Sequence, residues 1–96
     1  MAAKKPIIKE PRQLHENEQV VYIDPEENIT AVRQKLEHIE AQYVALIVPP
    51  QTHLRGQVVW KLLYARAKEL GKEVSIVSTD PQIRAMARSA RFNVAS

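Results

Sequence analysis

Tyr43-Val44-Ala45-Leu46-Ile47-Val48 is an unbroken apolar run, and Pro49-Pro50 closes it. No polar residue alternates within it, so neither face suits the wet side of an open sheet. The run is far shorter than the roughly 18 residues that cross a membrane. A proline pair cannot extend a hydrogen-bonded ladder, because proline has no N–H to give. The segment therefore reads as a strand buried on both faces, the pattern of a parallel sheet covered by helices.

Three weaker runs repeat the theme. Val20-Val21-Tyr22-Ile23 is stopped by Asp24-Pro25, Val74-Ser75-Ile76-Val77-Ser78 runs into Thr79-Asp80-Pro81, and Phe92-Asn93-Val94-Ala95 is a fourth strand. Between them the apolar period changes from two to that of a helix. Ile29, Val32, Leu36 and Ile39 repeat at three and four, which predicts a helix over about residues 28–40. Asp24 with Glu27, or Asn28 alone, can cap it. A second helix runs to Leu70 and stops at Gly71, a left-handed C′ position. Its buried face is expected to be Trp60, Leu63, Tyr64, Ala67 and Leu70, because the competing register buries the Arg66 cation. A third helix starts with Asp80 or Thr79 as cap and Pro81 in its first turn, with Ile83, Met86, Ala87 and Ala90 inward.

The order β-α-β-α-β-α-β predicts one three-layer α/β domain over residues 20–96, with a four-stranded, mainly parallel sheet of Rossmann or flavodoxin type. The strand order expected is 2-1-3-4 or a close variant. Residues 1–19 show no sustained periodicity and carry Pro6, Pro11 and the pair Ile7-Ile8, so they read as a flexible arm.

Composition excludes several chemistries. The 96 residues contain no cysteine, which removes thiol nucleophiles and thiolate metal sites. Three scattered histidines give no zinc-ligand spacing. No signal peptide is visible, and the chain reads as soluble and cytoplasmic. Residues 57–96 hold seven basic against three acidic groups, while residues 20–56 hold three against five. The basic excess thus sits in the C-terminal half.

The residues from Tyr43 onward carry a resemblance. Val44-Ala45-Leu46-Ile47-Val48-Pro49, Leu54-Arg55, Val58, Leu62-Leu63, Ala67, Leu70-Gly71-Lys72, Val74 through Pro81, Arg84, Ala87 and Phe92-Asn93-Val94 resemble a largely uncharacterised family of small Rossmann-like α/β domains of bacterial proteins. The resemblance covers roughly residues 20–95 and implies a fold and a place as a domain of a larger bacterial protein. It implies no catalytic residue. The chain departs from it at Pro50-Gln51-Thr52-His53, where a basic or glycine-containing loop is common, and at Trp60, where leucine is usual.

Open parallel sheets bind ligands at the carboxyl ends of their strands. That edge gathers Asp24, Thr52, His53, Arg55, Ser78, Thr79 and Asp80 as ligand-binding candidates. The start of the third helix offers N–H groups to a phosphate, yet Asp80 repels one there and no glycine-rich loop precedes a helix. Strand-end carboxylates can hold Mg²⁺, but an Asp-Pro pair is also an ordinary strand-to-helix turn. No catalytic residue, metal or cofactor is assigned. Arg84, Arg88 and Arg91 form a stripe on the third helix, and Lys61 and Lys68 lie on the second; these are the candidates for nucleic acid. Leu54, Val58, Leu62 and Ala65 make a second apolar flank on the second helix and are the interface candidates. The reading is a non-enzymatic binding or assembly module that pairs with a protein or with itself as a homodimer. The alternative is a nucleic-acid- or phosphate-ligand-binding domain.

Overall fold

In the computed structural model, residues 18–95 are described. The elements are β1 (Glu18–Tyr22), α1 (Ile29–His38), β2 (Tyr43–Ile47), α2 (Gln57–Glu69), β3 (Glu73–Val77), α3 (Pro81–Ser89) and β4 (Asn93–Ala95). The α/β class, the alternating order and the four-stranded parallel sheet are as expected. β1 begins at Glu18, two residues before the domain start anticipated at residue 20. The arm's Ile7-Ile8 pair and His15 lie outside the described residues.

The strand order differs from expectation: it is β1-β2-β3-β4, and every neighbouring pair is parallel. The physical reason lies in β2. An order of 2-1-3-4 would leave the most apolar run at an edge. The observed order sets β2 between β1 and β3, and Val44, Ala45 and Leu46 are buried. The edge falls instead to β1, whose Tyr22 is 70% exposed.

Each crossover steps one strand in the same direction. Crossovers of one hand that step the same way place their helices on the same face. α1, α2 and α3 accordingly lie side by side. Arg66 on α2 donates to Glu37 on α1 at 2.8 Å, and the Gln57 side chain on α2 donates to the Met86 carbonyl on α3 at 2.9 Å. Alternation along the strands sends Val44, Leu46, Val74 and Ile76 toward these helices. There they join one buried cluster with Val32, Leu36, Trp60, Leu63, Ile83 and Ala87.

The buried face of α2 is the one expected: Trp60, Leu63 and Ala67 are buried and Tyr64 and Leu70 half-buried. The Trp60 indole N–H donates to the Leu54 carbonyl at 2.8 Å, so its one polar atom is satisfied inside the core. The caps resolve the open alternatives. Asn28 accepts from the Ala31 N–H and starts α1. Glu27 instead accepts from the Asp24 N–H at 2.8 Å and closes the preceding turn. Asp80 caps α3 through the Gln82 and Ile83 N–H groups, with Pro81 opening the helix.

Candidate functional site

The carboxyl edge of the sheet brings Arg55, Ser78 and Asp80 of the predicted ligand residues into one hydrogen-bonded group. Thr52 is buried; its hydroxyl accepts from the Leu54 N–H at 3.2 Å and fixes the turn after the proline pair. That turn delivers Arg55 across the edge to the start of α3. The Arg55 guanidinium meets the Asp80 carboxylate at 3.0 Å and the Gln82 side-chain oxygen at 2.8 Å, and it also donates to the Pro50 carbonyl. The buried Ser78 hydroxyl accepts from the Asp80 N–H at 3.1 Å, and the Ser78 carbonyl accepts from Arg84 at 3.0 Å.

Electrostatics follow this geometry. The Arg55 hydrogen bond holds the Asp80 carboxyl below the usual carboxylate range, and the Gln82 and Ile83 N–H groups act the same way. At the β1 end, burial alone would raise the Glu27 carboxyl. The bonds from Lys35 and from the Asp24 N–H outweigh it, and the group is lowered. Lys35 sits 2.8 Å from Glu27 and 2.9 Å from the Tyr22 carbonyl.

An arginine already engaged by a carboxylate, an amide oxygen and a carbonyl has little left for an incoming anion. The aspartate facing it is likewise occupied by the guanidinium and two backbone N–H groups. The edge therefore works as a clasp that joins the loop after β2 to α3. His53 and Thr79 are exposed beside it, and Asp24 is exposed at the β1 turn. Among the described residues no three His, Asp or Glu side chains gather as a metal-binding group.

The predicted apolar flank divides. Leu54 is 3% exposed and belongs to the core under Trp60, so it leaves the interface set. Val58 is 67% and Leu62 52% exposed, and Ala65 is exposed beyond them on the same side of α2. The basic stripe also divides. Arg84 is half-buried and pinned to Ser78, Arg88 is exposed on α3, and Arg91 lies past the helix in a left-handed turn. Helix periodicity had put Arg91 on α3; the helix ends at Ser89.

Sequence reasoning missed a groove at the opposite, amino end of β3 and β4. A cavity of about 230 Å³ is lined there by Tyr64, Lys68, Lys72, Glu73, Phe92 and Arg91, among others. A shallower hollow of about 380 Å³ adjoins it, and Tyr64 and Arg91 line both. The Tyr64 ring meets Phe92 edge-on at 5.3 Å, and the Lys68 ammonium stands 5.6 Å from the Tyr64 ring centre. The signal available in the sequence was positional: Arg91 stands after α3 where Gly71 stands after α2.

No family model, curated protein or solved structure matches this chain. Among the described residues no helix is long and apolar enough to cross a membrane.

Proposed function

We propose that this domain is a non-enzymatic binding and assembly module that pairs with a second copy of itself through the outward side of α2. The observation that carries this reading is the exposure of Val58 and Leu62, one helical turn apart, with Ala65 continuing the line. Isolated exposed apolar residues are ordinary, whereas a stripe at helical spacing is the form a helix uses to meet another helix. An antiparallel crossing at Ala65 lets the two helices approach closely across its methyl group. It also sets the exposed Lys61 of each copy against the exposed Glu69 of the other, because both lie four residues from Ala65. The apolar patch is small beside the roughly 800 Å² per partner of a standard interface. The pairing is therefore weak and concentration-dependent, as suits a module carried within a larger assembly.

Sedimentation over a range from micromolar to millimolar protein tests this reading. The expected result is a reversible monomer–dimer equilibrium that Leu62→Glu abolishes, with the fold and thermal midpoint of the variant retained. Wild-type protein that stays monomeric throughout rejects the pairing. So does a Leu62→Glu variant that unfolds, since the residue would then be core.

A second reading, binding of a phosphate-bearing ligand or nucleic acid, draws support from Lys61, Lys68, Arg88 and Arg91. All four are exposed and form no ion pair among the described residues. In this reading the helix layer contributes the charge, because Arg55 at the carboxyl edge is held by Asp80.

A further inference from the structure

Arg91 is the one non-glycine residue with a positive φ among the described residues, at 85°. L-residues avoid this region because the Cβ crowds the following carbonyl, and strained backbone of this kind concentrates at functional positions. Arg91 is also one of two residues that line both hollows between α2 and α3.

We infer that this groove seats a phosphate group, with Lys61, Lys68 and Arg91 as its cations. The inference rests on the second reading and gives its ligand a defined spot; it needs no self-association through α2, with which it shares only Lys61. Lys68 and Arg91 line the cavity, where Glu73 is the one carboxylate, and Lys61 borders the adjoining hollow, which Arg91 also lines. Lys72 also lines the space, but its ammonium is committed to the Ile39 and Ala41 carbonyls. Helix carboxyl ends normally repel anions. Here three carbonyls of each last turn are already occupied: Arg66, Lys68 and Ala67 accept from Leu70, Gly71 and Lys72, while Met86, Arg88 and Ala87 accept from Ala90, Arg91 and Phe92.

The chemistry favours a phosphate over a stacked base. Trp60 and Phe92 are buried, and Lys68 stands over the Tyr64 ring, so no bare aromatic platform is offered. The cavity of about 230 Å³ is also small beside the roughly 300–1,000 Å³ of typical organic-ligand pockets, yet it suits one or two phosphate groups. Arg91 brings a planar fork that matches two phosphate oxygens, which a lysine does not.

Calorimetric titration at low salt with sodium tripolyphosphate, and separately with a short oligothymidylate, tests the site. Wild-type protein is expected to saturate with tripolyphosphate. Arg91→Gly, which relieves the backbone and so keeps the fold, is expected to weaken binding by about tenfold, the scale of one lost charge-assisted contact. Arg33→Gln, an exposed charge of α1 outside the groove, is expected to leave affinity within about twofold. Saturation by tripolyphosphate alone assigns the groove to a compact phosphorylated ligand. Saturation by both, each weakened in Arg91→Gly, assigns it to a phosphodiester backbone. No saturable binding of either probe, or equal weakening by Arg33→Gln, overturns the site.

Discussion

The turn that ends α2 and the turn that ends α3 share their hydrogen bonds and differ in the residue at the left-handed position. The Lys72 N–H reaches the Ala67 carbonyl at 2.9 Å and the Phe92 N–H reaches the Ala87 carbonyl at 3.0 Å. One step earlier, Gly71 bonds to Lys68 at 3.0 Å and Arg91 to Arg88 at 2.9 Å. Both are Schellman motifs, with φ of 69° at Gly71 and 85° at Arg91. A Cβ built on Gly71 would meet nothing within 4 Å, so glycine answers the backbone angle there and not a lack of space. Arg91 accepts the same angle without that relief. The residue that follows differs too: Phe92 is buried edge-on to Trp60 and Tyr64, whereas Lys72 is half-buried and caps the end of α1. A buried aromatic anchor holds the α3 turn in a conformation its own residue disfavours.

Removing that anchor breaks the comparison most severely. Phe92→Ala is expected to cost about 3–5 kcal/mol in urea unfolding, the usual range for a buried aromatic. A loss below about 1 kcal/mol would show that Phe92 does not hold the turn. The corresponding change after α2, Lys72→Met, leaves the Ile39 and Ala41 carbonyls without their donor. It is expected to cost about 1–2 kcal/mol by the same measurement.

The two left-handed positions then sharpen the contrast through opposite signs. Gly71→Arg is expected to destabilise by about 1–2 kcal/mol, the cost of a Cβ in that region. Arg91→Gly is expected to stabilise by about 0.5–1 kcal/mol, because relief of strain is partly offset by the glycine's greater freedom in the unfolded chain. Thermal midpoints moving in the same direction for both variants would mean that the turns are not equivalent.

These turns also mark how far the sequence could be read. Gly71 after Leu70 announced its turn, because glycine is the usual occupant of that position. Arg91 announced nothing: it continues the spacing of Arg84 and Arg88 and so passed for a helical residue. The chain's alternation of patterns revealed the sheet, its parallel pairing and the inner face of α2, because burial selects residue types at fixed periods. Strand order was less legible. Periodicity describes each element alone, and only the contrast between the apolar Tyr43–Val48 and the weaker Val20–Ile23 pointed to a central β2. The carboxyl edge was located correctly as a meeting place of Arg55, Ser78 and Asp80. That these groups satisfy one another follows from side-chain reach across the fold, which no local pattern encodes.

The smallest effect concerns that edge. The carboxyls of Asp80 and Glu27 titrate below their ordinary values when folded. Their ionised forms therefore favour the folded state above the unfolded carboxylate range, about pH 4, and the contribution is lost as pH falls through the lowered folded values. Stability measured from neutral to acidic pH is expected to decline in that window. Asp80→Asn is expected to shallow the decline and leave its position unchanged. An unaltered acid limb in Asp80→Asn would remove the Arg55–Asp80 clasp from the account.

The central claim is that binding chemistry sits at the amino end, between α2 and α3, while the carboxyl edge is closed on itself. Backbone amide shifts recorded during a tripolyphosphate titration test it directly. The expected pattern places the largest changes at Lys68, Arg91, Phe92 and Asn93, with Thr52–Arg55 and Thr79–Gln82 unmoved. Changes centred on Arg55 and Asp80 would contradict it.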